Sequence, residues 1–234
     1  MQATADTPIE ITAFSWVPDF ARGFVRDLRP RWALEELGLP YRTRLIDSRG
    51  PRPAEYYREQ PFGQVPALRD DGVSLFESGA ILIHLGEKDE KLLPRDPAER
   101  ARAIVWTFAA LNSIEPTISE LAAIDIFYPG EEWASLRRPG AEDAARSKLS
   151  RLADWLGDKQ WLEDRFTIGD LTMVTVLRDL DHTDLLAEFP SLTAYCERGT
   201  ARPAFERAYR AQLSDLEDEA RPSTDSSHVR GETA

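Results

Sequence analysis

The chain has 234 residues, 42% of them hydrophobic, with six Trp, ten Phe and a net charge of −12. That is enough apolar material for one or two well-buried domains, and too acidic a balance for nucleic acid or an anionic membrane surface as partner. A single cysteine excludes an intrachain disulfide and favours a reducing compartment. Met1 to Asp6 offer no basic, then apolar leader, and no apolar run approaches the roughly 18 residues of a membrane span, so the cytoplasm is the default expectation.

The charge is uneven: residues 1–88 carry 11 basic and 13 acidic side chains, the remainder 18 and 28. An anionic ligand would be repelled less by the first part than by the second, although such asymmetry is common on solvated helix faces.

Ile9 to Phe14 alternates and is rich in β-formers, which predicts a first strand with Ser15 at its end. Ser15 to Arg26, containing Pro18 and Gly23 among aromatics, reads as a long loop. Asp27 is placed to cap the next helix, with Pro30 in its first turn. Leu28, Trp32, Leu34 and Leu37 keep helical spacing, and Gly38 ends the helix. Tyr41 to Ile46 is a second strand, parallel to the first because a right-handed crossover joins them. Ser48 to Pro53 is loop and Ala54 to Glu59 a short irregular helix.

Pro61-Phe62-Gly63-Gln64-Val65-Pro66-Ala67-Leu68 leads into a third strand. Pro66 cannot donate to a ladder and belongs at a strand start. A cis bond there would turn the backbone of Val65 sideways, toward an extended ligand. Asp71-Gly72 is a hairpin signal, because both central residues of the favoured turn need φ > 0. After Val73 to Phe76 a helix runs from Glu77 to about Glu87, burying Ile81, Leu82 and Leu85. Its unpaired first-turn N–H groups suit a ligand carboxylate, with the Ser78 hydroxyl as an added donor. Equally, Ser78 could serve only as a cap.

Lys88 to Pro97, with two prolines and six charges, marks a boundary, beyond which the pattern is helical. Helices are expected over Ala98 to Ile126 with a bend at Pro116, Ala141 to Leu156, Leu180 to Glu188, Ser191 to Thr200 and Pro203 to Leu213. Thr167 and Asp170 form a capping box, with Phe166 and Leu171 as its staple. The polar residues from Ser214 onward predict a mobile tail. His84, His182 and His228 are too scattered for a metal site, and Cys196 reads as a small buried residue.

Gln64-Val65-Pro66-Ala67-Leu68, Leu75-Phe76-Glu77-Ser78-Gly79-Ala80-Ile81 and, upstream, Ala33-Leu34-Glu35-Glu36-Leu37-Gly38-Leu39-Pro40-Tyr41 together resemble the N-terminal domain of a cytosolic glutathione S-transferase of bacterial type. The resemblance implies an α/β plus all-α architecture: a thioredoxin-like N-terminal domain over 1–88, an all-helical C-terminal domain over 97–214 and a tail over 215–234. It also implies a homodimer, with glutathione as co-substrate, a small hydrophobic electrophile as second substrate, and no metal. Val65 ahead of a cis Pro66 would pair with the cysteinyl backbone of glutathione, Glu77 and Ser78 would hold its γ-glutamyl end, and Gln64 would lie alongside.

Conjugation needs a thiolate, whereas a free thiol of pKa about 8.5 is mostly protonated at neutral pH. Ser15 is the hydroxyl nearest the position from which relatives activate the sulfur. The loop after it is longer than the family usually shows, and no Tyr occupies the region. Arg22 and Arg26 are therefore rivals, and Ser15 could equally be an ordinary strand-end residue. Trp16, Phe20, Phe24, Trp106, Phe108, Asn112 and Glu115 are candidate walls of an electrophile pocket. With no cysteine in residues 1–88, disulfide reduction through a protein thiol is not expected. A glutathione-dependent isomerase or lyase, and a non-catalytic binding module on the same fold, are the alternatives.

Overall fold

The computed structural model describes residues 8–216. Its first part is a four-stranded sheet in the order β2-β1-β3-β4, built from β1 (Ile9–Phe14), β2 (Tyr41–Ile46), β3 (Ala67–Asp70) and β4 (Val73–Phe76). The β1–β2 pair is parallel and joined through α1 (Leu28–Leu37), as the crossover rule requires, while β3 runs antiparallel to β1 and to β4. Asp71 and Gly72 both take positive φ in the hairpin, at 46° and 79°. The helix α2 (Ser78–Gly86) follows β4. This is a thioredoxin-like domain, and an all-helical region succeeds it.

That region comprises α3 (Pro97–Ala109), a wider π-helical turn over Ala110–Ile114, α4 (Glu115–Ala122), a second π turn at Ala123–Phe127, α5 (Glu132–Leu156), α6 (Ile168–Arg178), α7 (Pro190–Thr200) and α8 (Pro203–Asp215). One core runs through both parts. Trp32 of α1 is fully buried and meets Phe205 of α8 edge-on at 5.0 Å and Phe166 at 5.6 Å. Rings in such arrangements add about 0.5–1.5 kcal/mol beyond their area burial.

Several sequence expectations need correction. Asp27 does not cap α1: its buried carboxylate takes Arg31 Nε at 2.7 Å and Gln212 Nε2 at 2.8 Å instead. The helix expected from Ala141 begins at Glu132, with Pro139 inside it. A proline removes a single ladder donor, and the buried Ala134, Ala141 and Ala145 on either side hold the helix together across the gap. The helix expected over Leu180 to Glu188 shrinks to one 3-10 turn, Leu185–Glu188. The tail does not begin at 215, because Asp215 closes α8 and pairs with the buried Arg31 at 2.7 Å, and Leu216 is buried. The rest of the expected tail, with His228, lies outside the described residues.

Candidate glutathione site

A cavity of about 380 Å³ opens between the sheet domain and the start of α4. Gln64, Val65, Pro66, Glu77 and Ser78 all line it, so the chain brings together every residue to which the sequence assigned peptide binding. The Val65–Pro66 bond is cis, and β3 begins only at Ala67, so Val65 lies outside the paired ladder. Buried Gln60 fixes the approach: its Oε1 accepts from the N–H groups of Phe62 at 2.7 Å and Gln64 at 3.2 Å. The Tyr56 hydroxyl donates to the Gln64 carbonyl at 2.6 Å.

On the opposite side Glu77 adopts φ 69°, ψ 115°, an uncommon conformation for a residue with a Cβ, and turns the chain from β4 into α2. Ile81 N–H is bonded back to the Glu77 carbonyl at 3.0 Å, which leaves the earlier first-turn N–H groups at the cavity end of the helix. Gly79 lets the helical region pack closely against the start of α2. A Cβ there would stand 2.7 Å from Leu111 Cδ1 of the helical region.

Ser78 is not a helix cap. Its Oγ accepts from Arg29 Nη1 at 3.0 Å, which directs its own proton elsewhere. Arg29, 3% exposed, also donates Nε to Thr175 Oγ1 of α6 at 3.0 Å and Nη2 to Glu115 Oε1 at 2.9 Å. Arg26 reaches the same Glu115 oxygen from the cavity mouth at 3.0 Å. Burial works to raise the Glu115 pKa, yet the two guanidiniums outweigh it and hold the carboxyl below its usual range. Two cations around one carboxylate leave the cavity wall net positive before Glu77 is counted.

The sequence assignments divide here. Arg26, Phe108, Asn112 and Glu115 line the cavity. Ser15 does not: it sits half-buried at the end of β1, with its N–H donating to the Ile46 carbonyl at 3.0 Å. Arg22 and Trp16 are not lining residues either, and the Trp16 carbonyl accepts from the Ser48 hydroxyl at 2.5 Å. Trp106 turns away to pair with Trp155 and to donate to Glu163. Phe20 and Phe24 line a second, largely apolar cavity of about 480 Å³, alongside Ser119 of α4, one helical turn beyond Glu115. Arg29 and Gln60 went unread in the sequence. An arginine in the first turn of an amphipathic helix carries no local sign that α4 and α6 will bury it.

Cys196 is buried, and burial pushes its thiol up to about 12, so it has no reactive thiolate at neutral pH. Among the described residues no group of three or more His, Cys, Asp or Glu could hold a metal ion, and no helix is long and apolar enough to cross a membrane.

Residues 20–87 match the family model described as the glutathione S-transferase N-terminal domain. The chain is 31% identical over 160 residues to a glutathione S-transferase of Hyoscyamus muticus, covering 63% of this chain and 74% of that protein. It is 29% identical over 197 residues to the disulfide-bond oxidoreductase YfcG of Escherichia coli K12, covering 78% and 89%. A glutathione transferase from Burkholderia graminis, solved with two glutathione molecules bound per subunit, superimposes with a TM-score of 0.75 at 25% identity, over 87% of this chain and 88% of that one. Fold, cis-proline cradle and relatives agree: the chain belongs to the glutathione S-transferase family.

Proposed function

We propose that this protein binds glutathione in the 380 Å³ cavity and joins its sulfur to a small hydrophobic electrophile held in the apolar cavity beside it. One observation carries the reading: the unpaired backbone of Val65, ahead of a cis proline, and the open first turn of α2 face the same space. The Val65 backbone pairs with the cysteinyl unit. Ser78, already accepting from Arg29, donates its proton to the γ-glutamyl carboxylate, and Glu77 takes the ammonium. Activation of the thiol falls to Arg26, a permanent cation at the mouth of the cavity, rather than to Ser15 or Arg22, which do not line it. The thiolate then forms a C–S bond to the electrophilic carbon, and the displaced electron pair leaves with the leaving group or is protonated from water. Location in the cytoplasm, a homodimeric state and a detoxifying role go with this reading as consequences of family membership.

Calorimetry with glutathione, followed by thiolate absorbance against pH, tests it. Binding heat is expected, and the bound thiol should titrate below the free thiol in the native protein and in Ser15→Ala, and closer to the free value in Arg26→Ala. Absence of heat and of any thermal shift at millimolar glutathione would overturn the reading, and a shift lost only in Ser15→Ala would return activation to the serine. An isomerase, a lyase or a binding module would use the same cavity, and turnover with a model electrophile separates these from conjugation. The relative named as a disulfide-bond oxidoreductase does not move the assignment to a protein thiol, because Cys196 is buried and protonated.

A further inference from the structure

The apolar cavity is walled by Phe20 and Phe24 of the long loop and by Ile126 and Phe127, with Phe20 and Phe127 edge-on at 5.4 Å. Its polar end is the C-terminal end of α6, where Arg178, Asp179, Asp181 and His182 meet the cavity. The basic groups there are engaged. Arg178 donates Nη1 to the Gly23 carbonyl at 3.0 Å and lies over Phe24, Phe205 and Tyr209, with 4.8 Å to the nearest ring centre. His182 has Nδ1 at 2.9 Å from the Asp179 carbonyl and Nε2 at 3.5 Å from the Asp125 carboxylate.

The acidic groups are not engaged. Among the described residues, neither the Asp179 nor the Asp181 carboxyl accepts a hydrogen bond or forms an ion pair within 4 Å. Two open carboxyls at a helix C-terminus, beside partial negative charge on the last carbonyls, favour a cation. We propose that this cavity selects aromatic ligands bearing a basic amine, with the ammonium on the open Asp179 carboxyl and the rings against Phe20 and Phe24.

The charged groups facing Asp179 are Arg178 on its own helix and Arg26, Arg29 and Glu115 from the elements packed across it. Arg26 and Arg29 are both bonded to Glu115, so neither neutralises Asp179 at contact. Burial lifts the Asp179 carboxyl to about 6 against the pull of the arginines. A bound ammonium favours the ionised form, so affinity rises as pH passes upward through that value. An electrophile is then an amine-bearing aromatic, an assignment that rests on the two-cavity reading of function.

The binding test needs no glutathione, so the two readings fail separately. We would titrate the full-length protein with 1-naphthylmethylamine, 1-naphthylmethanol and 1-naphthoate, following ligand fluorescence. At pH about 7.5 the amine should bind about tenfold tighter than the alcohol, as a partly desolvated charge-assisted contact allows. That preference should vanish in Asp179→Asn and shrink at pH about 5, with Asp181→Asn weakening it less. Equal affinities, tighter binding of the naphthoate, a preference surviving in Asp179→Asn, or no binding of any probe would each overturn the proposal.

Discussion

Two buried polar clusters sit within the same core, and they differ in whether the protein completes them. At the start of α6 the Asp170 carboxylate accepts from Leu162 N–H at 2.8 Å, Thr167 N–H at 2.9 Å and the Tyr195 hydroxyl at 3.0 Å, and the residue has no exposed surface. Around Arg29 the burial is similar, yet the cluster borders a cavity, and the Ser78 proton and the second Glu115 oxygen have no partner among the described residues. A closed network specifies the fold. An open one, assembled from α1, α2 and α4, holds groups ready for a ligand.

Breaking the closed cluster gives the largest effect. Asp170→Ala strands two N–H groups and a buried hydroxyl and should cost about 3–5 kcal/mol of stability in urea unfolding, while glutathione affinity of the folded protein stays the same. Loss of affinity without loss of stability would invert the comparison. Arg29→Ala should cost less, about 2–3 kcal/mol, because Arg26 still neutralises Glu115, but it should weaken glutathione binding as well. Ser78→Ala should barely move stability and should weaken glutathione by about 1–3 kcal/mol in calorimetry. An unchanged dissociation constant would make Ser78 purely structural.

The clusters also respond oppositely to pH. Burial pushes Asp170 up to about 6, so the native state binds a proton that the unfolded state has released, and this part of the stability falls as pH rises from 3.8 to about 6. Glu115 is held below 4.5, so its contribution is present above that value and is lost as pH falls through the folded pKa. Stability of Asp170→Ala against pH should therefore lack the acid-side gain that the native protein retains.

What could be read from the chain was local. The hairpin at Asp71-Gly72, the cis proline and the Thr167–Asp170 box each depend on a few neighbouring residues, and each stands where its chemistry placed it. Asp27 misled because a capping carboxylate and a buried ion-pair carboxylate look alike until Arg31 and Gln212 arrive to claim it. The helix expected only from Ala141 starts at Glu132, because packing carries α5 across Pro139. Arg29 was illegible because its partners Ser78, Glu115 and Thr175 lie 49, 86 and 146 positions away.

Those separations bear on how the molecule is made. A chain leaving the ribosome presents α1 long before Glu115 exists, so for that interval the nascent sheet domain carries the paired guanidiniums of Arg26 and Arg29 without their shared counter-ion. Synthesis of residues 1–88 alone therefore yields a fragment with an uncompensated cation where native burial would lie, and acquisition of the ligand cradle waits on translation of α4.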